Sequence, residues 1–417
     1  MMVNKYILFL LLGISVVIFL ECDSQRSGDV GSEASDIETS PARELLRQSH
    51  EFFRRGRFSE ALQLVDTARE RDPDLPDVYY IRGLILDKMK RNEEARESFQ
   101  KVLSLQSEYP GAHFQLGNLM FRAEEFRRAV NHYQGALDYY SSEIDLYSKP
   151  DIYLNLGLTY SKLGVSDSVR WAYQEAVVAD SSFAPAYILI GQEYRKDAEY
   201  QKALTYTRKA LELEPENISY KSILGSVLFQ MGELERALAY LEEVISERPW
   251  EYKAHFQLGR TLIGLGHTER GQRHLSRADT LRTIQSQIIQ LQYNAMQNPD
   301  SLMLWVELGE SFYRIGHLEQ ARDVLEVALS LEPNNPALQN NLASLLAETG
   351  DMPGAISRYQ DILAQDSTIS DVWFNLGSAY AHQGEIDSAR DAWIHLHGLT
   401  QTHLPEEAFL DSLMDEI

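Results

Sequence analysis

Residues 218–251 read ISYKSILGSVLFQMGELERALAYLEEVISERPWE, and the same arrangement returns along nearly the whole chain. The fixed point is the small residue after Leu224. Counting from Ser49, it recurs at Gly83, Gly117, Gly157, Gly191, Gly225, Gly259, Gly309, Ala343 and Gly377. The intervals are 34, 34, 40, 34, 34, 34, 50, 34 and 34 residues, so one short unit is written ten times. A fixed period of this size is the signature of a solenoid, in which each unit contacts its neighbours and the stack forms one long surface.

Numbering the small residue as repeat position 8, bulky side chains stand at position 4 (Tyr79, His113, Tyr153, Tyr187, His255, Trp305, Trp373). Large apolar ones follow at position 11 (Phe52, Leu86, Met120, Tyr160, Tyr194, Leu228, Leu262, Phe312, Leu346, Tyr380). Positions 4, 7, 8 and 11 share one face of a helix. A second helical stripe occupies positions 20, 24 and 27, as in Ala61, Val65, Ala68 and in Ala95, Phe99, Val102. Between the stripes, Gly56, Gly164, Gly232, Gly266, Gly316, Gly350 and Gly384 stand at position 15, where a helix terminus calls for a left-handed residue. Pro73, Pro215, Pro249 and Pro333 at position 32 stop the second helix.

This pattern resembles the tetratricopeptide repeat (TPR) family over residues 42–403, in register ten times. Local departures are Ser49 for the first small residue, Val169 and Gly271 for the second-helix Ala, and Ser107, Ser141, Ser181, Ser367 and Gln401 for Pro. The resemblance implies an all-α, right-handed α-solenoid whose conserved positions serve packing. It also implies a concave groove lined by first-helix positions 2, 5, 9, 12 and 13.

The formal charge of −23, from 39 Lys and Arg against 62 Asp and Glu, sets the protein against phosphate backbones and anionic headgroups, so no nucleic-acid partner is expected. The N-terminus differs from the rest. Lys5 precedes fifteen uncharged residues, Tyr6–Leu20, and the only cysteine, Cys22, follows. Fifteen helical residues span roughly 22 Å, short of a hydrocarbon core of ~30 Å, which suits a signal segment better than a spanning helix. Cys22 resembles the lipidation site of bacterial lipoproteins, with Glu21 standing where that signal usually has a small residue, and Asp23 resembles a signal for inner-membrane retention. A lipoprotein, an uncleaved anchor and ordinary secretion remain open, and all three put the repeats outside the cytoplasm. Residues 23–40, rich in Ser, Gly and acids, read as a disordered tether with a reach of about 23 Å.

The two long intervals mark insertions. The first adds six residues around Asp138–Lys149, accommodated as a longer helix or a loop. In the second, Gly271 to Pro299 contains no internal Gly or Pro, and apolar residues recur every three or four positions at Leu275, Ala278, Leu281, Ile284, Ile288, Leu291 and Ala295. One continuous helix of ~28 residues follows. It serves either as a spacer whose far half caps the next repeats or as a protruding arm docking through Ile284, Ile288 and Leu291. The expected organisation is a signal or anchor at 1–22, a tether at 23–40, repeats one to seven at 42–283, the helix continuation at 284–301, repeats eight to ten at 302–403, and a capping helix at 404–417. In that last segment Pro405, Glu406 and Glu407 open a helix carrying Phe409, Leu410 and Leu413.

No catalytic, cofactor or metal motif emerges. His395 and His397, two apart, point to different sides of a helix, and His267 and His274 read as solvated. Asn217 with Ser219 forms a glycosylation sequon, without consequence in a bacterium. The groove is the remaining candidate. Position 5 carries Tyr80, Phe114, Phe256 and Phe374, and position 12 carries Phe53, Phe121, Phe229 and Tyr313. Position 13 carries Arg54, Lys88, Arg122, Lys162 and Lys196 in five successive repeats. A cation there complements a helix macrodipole; with exposed aromatics it also suits an extended peptide bearing carboxylates. The family's two-carboxylate clamp is incomplete, since Asn118 has Phe114 rather than Lys one turn earlier.

The expected function is a non-catalytic scaffold that binds proteins or extended peptide segments in a bacterial envelope, touching the membrane only through its N-terminus. The named alternatives are a part of a secretion, pilus or cytochrome-assembly machine and a regulatory subunit for an enzyme on another chain. Binding is expected at Phe53, Tyr80, Phe114, Asn118, Phe121 and the cationic ladder, with lipidation at Cys22. Melting is expected to survive loss of Phe114 and Phe121.

Overall fold

The computed structural model describes residues 40–141 and 147–400, together with Leu410 and Leu413. The signal segment, Cys22, the tether and most of the expected capping helix lie outside the described residues. Among the described residues the elements are twenty helices in ten pairs. The first helices are α1 (Pro41–Arg54), α3 (Pro76–Lys88), α5 (Pro110–Arg122), α7 (Lys149–Leu163), α9 (Ala184–Lys196), α11 (Ile218–Gln230), α13 (Tyr252–Gly264), α15 (Leu302–Arg314), α17 (Pro336–Glu348) and α19 (Ser370–Gln383). The second helices are α2 (Phe58–Arg71), α4 (Asn92–Leu105), α6 (Phe126–Asp138), α8 (Ser166–Ala179), α10 (Tyr200–Leu213), α12 (Leu234–Glu247), α14 (Thr268–Gln297), α16 (Leu318–Leu331), α18 (Met352–Gln365) and α20 (Ile386–Thr400). Every repeat read from the sequence is present.

Most pairs are held by a large residue at position 24 lying over the small one at position 8; in repeat five Thr207 takes that place over Gly191. A Cβ on Gly117 would stand 2.6 Å from the Tyr133 ring, and Gly157 and Gly377 are as closely covered by Tyr173 and Trp393. Ser49 is the accommodated exception, because its hydroxyl donates to the Ala61 carbonyl at 2.9 Å instead of leaving a buried polar atom unmet. The turn between the helices places position 15 at positive φ throughout. Seven repeats use Gly there, and Lys90, Glu124 and Ala198 adopt φ of 61°, 59° and 59° without one.

Position 4, read as bulk, also ties the repeats together by hydrogen bonding. Its side chain donates to the carbonyl six residues earlier: His113 to Ser107, Tyr187 to Ser181, His255 to Pro249, Trp305 to Pro299, Gln339 to Pro333 and Trp373 to Ser367, at 2.7–3.2 Å. The acceptor is the backbone of position 32, so Ser serves in place of Pro at positions 107, 181 and 367.

The chain forms two compact units, up to Tyr240 and from Leu241 onward. The boundary falls within α12, whereas the interval pattern alone suggests a division near residue 284. In the first unit the core runs through Ala61, Phe99, Tyr133, Leu156 and Tyr173. In the second, α14 is an uninterrupted helix of 30 residues, in agreement with the spacing. Its Ile284 and Ile288 are buried and Leu291 half-buried against Trp305, Leu308 and Phe312. The docking arm through these three side chains is thereby overturned: they are core, and the far half of α14 packs on α15. At the C-terminal end Leu410 and Leu413 cover Ala389, Trp393 and Leu396, the apolar face expected to need a cap.

Candidate functional site

The candidate groove is the face that the first helices present at positions 5, 9, 12 and 13. In the first unit much of it is occupied by the protein itself. Tyr80 and Phe114, expected to be exposed anchors, are only 7% and 8% exposed. Tyr109, in the turn that ends repeat two, lies over Tyr80 with ring centroids 5.1 Å apart, and its hydroxyl donates to Asp77. Tyr147, at the end of the six-residue insertion, stacks on Phe114 at 4.4 Å and 18°, and Tyr133 flanks the other side. Phe183 packs in the same way into the cluster around Leu154 in repeat four. In repeats two, three and four the residue that closes the repeat therefore covers position 5 of that repeat. The expectation that Phe114 could be removed without loss of melting temperature is withdrawn, because a buried ring is part of the core.

Phe53 and Phe121 are half-buried, each set edge-on to the first aromatic of its second helix, Phe58 and Phe126 respectively, at 5.6 Å. Phe229 is likewise half-buried. Asn118 accepts from the Tyr133 hydroxyl at 2.8 Å and from the Asn155 amide at 3.1 Å, linking repeats three and four. Burial pushes the Tyr133 phenol well above its ordinary range, so it stays a donor. All five ladder cations are exposed. Arg122 pairs with Asp87 of the preceding repeat, and Lys196 pairs with Glu193 at 2.6 Å. Arg54, Lys88 and Lys162 make no ion pair among the described residues.

In the second unit the same positions are open. Phe256 is 48% exposed, Tyr313 47% and Phe374 39%. Phe256 sits under Arg260, whose guanidinium carbon is 5.8 Å from the ring centre. Tyr313 donates to Glu348 at 2.7 Å, a bond that raises its phenol pKa. Phe256 is uncovered for a structural reason: repeat seven runs on as α14 and has no closing turn to supply a lid.

Two histidine pairs occupy positions 4 and 23. His113 and His132 approach with Nδ1 atoms 3.3 Å apart, and His255 and His274 with theirs 3.0 Å apart. His274 is therefore half-buried and hydrogen-bonded, not simply solvated. The position-4 ring donates from Nε2 to a carbonyl, which leaves its Nδ1 to accept from the partner. Burial, the neighbouring His113 and Arg128 hold His132 down to about 4. Among the described residues no three His, Cys, Asp or Glu side chains gather as metal ligands. His395 instead stacks on Trp373 at 4.5 Å. Asn217 caps α11, accepting from the Tyr220 amide.

Ten helix pairs with small-on-large contacts, whose first helices present aromatics and charge, define a helical-repeat protein of the interaction class. Tetratricopeptide repeat models match residues 46–113, 184–217, 228–280 and 313–369, about half of the chain, and the protein belongs to the tetratricopeptide repeat family. Among curated proteins it is 25% identical over 179 residues to the BBSome complex member BBS4 homolog of Drosophila melanogaster, covering 40% of this chain and 36% of that one. It is 34% identical over 93 residues to the tetratricopeptide repeat and J domain-containing co-chaperone DNJ1 of Fusarium oxysporum, covering 22% and 18%. The chain thus spans little more than a third of these relatives at most. Among solved structures, PilW, a type IV pilus biogenesis factor, aligns with 17% identity and a TM-score of 0.45 over 51% of this chain and 96% of its own. The protein is a protein-interaction scaffold, and members of its family bind other proteins or peptides.

Proposed function

We propose that this scaffold works without catalysis on the outer side of a bacterial cytoplasmic membrane, tethered through Cys22, and gathers client proteins by extended segments laid along the first-helix faces. The observation that carries the reading is the run of five exposed cations at position 13, Arg54 to Lys196, in a chain of charge −23. Such a run favours segments bearing carboxylates, and exposed charges of this kind steer association more than they hold the complex. Phe53 and Phe121 offer partial aromatic contact beside the ladder; Phe256, Tyr313 and Phe374 offer more in the second unit.

The test is a crosslinking pull-down from membranes, comparing wild type with the triple variant Arg54→Glu, Lys88→Glu, Lys162→Glu. Loss of clients with unchanged melting supports the reading, and unchanged capture contradicts it. One stoichiometric envelope partner would favour a machine component, and a co-purifying activity a regulatory subunit. Mass spectrometry of the mature N-terminus tests the tether: an acylated Cys22 is expected, and Met1 or an unmodified Cys22 would refute it.

A further inference from the structure

The far half of α14 is a second helix without a first. The interval from Gly259 to Gly309 exceeds the usual 34 residues by sixteen, so a complete extra repeat is lacking by eighteen: a turn and one first helix. Counted back from repeat eight, Ile284 falls at position 17, Gln287 at 20, Leu291 at 24 and Asn294 at 27. Elsewhere positions 20 and 27 carry only Ala, Val, Gly, Ile or Leu, because they face the first helix of their own repeat. Here they carry Gln and Asn, and no first helix lies against them. The opposite requirement, contact with the next repeat, is met by Ile284, Ile288 and Ala295, all buried.

Beside Gln287 an open depression of about 360 Å³ lies between α14 and α15. Gln287, Gln290 and Leu291 line it from one side and Glu307, Glu310 and Arg314 from the other. Glu307, Glu310 and Arg314 follow one side of α15 at i, i+3 and i+7, and none of the three makes an ion pair among the described residues. Elsewhere in this chain Arg and Lys commonly neutralise a carboxylate three residues away, as Lys209 does Glu212 at 3.2 Å.

We propose that this gap is a binding site for an extended segment of a partner protein carrying Lys or Arg. The cation meets Glu307 and Glu310, the Gln287 amide and the carbonyl of Gln290, whose NH2 already donates to Asn294 at 2.9 Å, bond the peptide groups of the extended chain, and Leu291 supplies the apolar floor. A guest helix in place of the missing one does not fit, since Gln287 and Asn294 stand where its backbone would have to come close. Arg314 at the end of the row favours a carboxylate further along the same segment. The proposal rests on the scaffold reading: Glu310 and Arg314 stand at groove positions 9 and 13 of repeat eight, but the site belongs to the second unit, outside the five repeats that carry the position-13 ladder, and has the opposite charge preference.

The experiment uses the full chain as bait for a phage library of short random linear peptides, followed by fluorescence polarisation with the enriched peptides. Enrichment of Lys and Arg is expected. Affinity should fall about tenfold or more in the double variant Glu307→Gln, Glu310→Gln, and salt should weaken binding to wild type. The variant Glu326→Gln, Asp361→Gln, which changes net charge equally at exposed sites elsewhere, should bind as wild type. So should the ladder variant Arg54→Glu, Lys88→Glu, Lys162→Glu. Peptides that bind Glu307→Gln, Glu310→Gln unchanged overturn the site. Peptides that are amphipathic helix formers, lost in Leu291→Ser instead, overturn the extended occupant. Peptides lost only in the ladder variant overturn this site and leave the groove reading standing; basic peptides that ignore the ladder variant support the site even if the ladder binds nothing.

Discussion

Phe114 in repeat three and Phe256 in repeat seven hold the same repeat position, on first helices of the same length, yet one is 8% exposed and the other 48%. The difference comes from about thirty residues downstream. Repeat three ends in an insertion that returns Tyr147 over Phe114. Repeat seven does not end in a turn but continues as α14, so nothing returns over Phe256. Availability of a groove side chain in this protein is thus decided by how the repeat closes as much as by which residue stands at position 5.

The comparison breaks most visibly in stability. Phe114→Ala removes a ring packed between Tyr133 and Tyr147 and should cost about 3–5 kcal/mol. Phe256→Ala, half in solvent, should stay within about 1 kcal/mol. Denaturant unfolding of the two variants measures both, and equal costs would remove the distinction. Because repeat arrays couple mainly to nearest neighbours, hydrogen exchange should show the Phe114→Ala damage confined to repeats adjoining repeat three.

A smaller effect concerns the turns within repeats. Lys90, Glu124 and Ala198 accept left-handed backbone that seven other repeats give to Gly. That conformation costs an ordinary residue roughly 1–2 kcal/mol, part of which returns as chain entropy when Gly is introduced. Lys90→Gly, Glu124→Gly and Ala198→Gly should each raise stability by about 0.5–1 kcal/mol, and Gly164→Ala should lower it by a similar amount. All three non-Gly turns are in the first unit, so the triple variant would also show whether that unit melts first.

The smallest effect is one of pH, and it sharpens the likeness between repeats three and seven. His132 stays neutral in the folded protein down to about pH 4, whereas in the unfolded chain it takes a proton near 6.5. The unfolded state binds more protons across that window, so this group's contribution is full above about pH 6.5 and is lost as pH falls towards 4. His113, His255 and His274 shift in the same direction, chiefly by burial. Melting temperature should decline over that range, and less steeply in His132→Asn; an identical slope in the variant would rule the pair out as a source.

The helix pairs were legible because their determinants are local and periodic. Gly at positions 8 and 15, Ala at 20 and 27 and bulk at 4, 11 and 24 need no knowledge of distant contacts. The long helix was equally legible from the three-to-four spacing of Leu281, Ile284, Ile288 and Ala295. What those residues touch was not, since a buried seam and a docking seam carry the same apolar side chains. The groove was misread at Tyr80 and Phe114 because their burial depends on the residue that closes the repeat: Tyr109 stands at position 34, which the repeating pattern leaves variable, and Tyr147 is brought in by the insertion. The pairing of Arg122 with Asp87 was within reach: tabulated by repeat, position 13 of one unit faces position 12 of the unit before. His274 was judged by its neighbour in sequence, His267, when its partner, His255, lay nineteen residues earlier across the helix pair.

The claim that a groove side chain is available only where its lid is missing can be measured by thiol labelling, because Cys22 is the only native cysteine. In a Cys22→Ser background, Phe256→Cys should react with a maleimide near the rate of an unstructured thiol. Phe114→Cys should react many-fold more slowly, limited by local opening, and should speed up when Tyr147→Ala is added. Equal rates at positions 114 and 256, or no response at 114 to loss of Tyr147, would contradict the account.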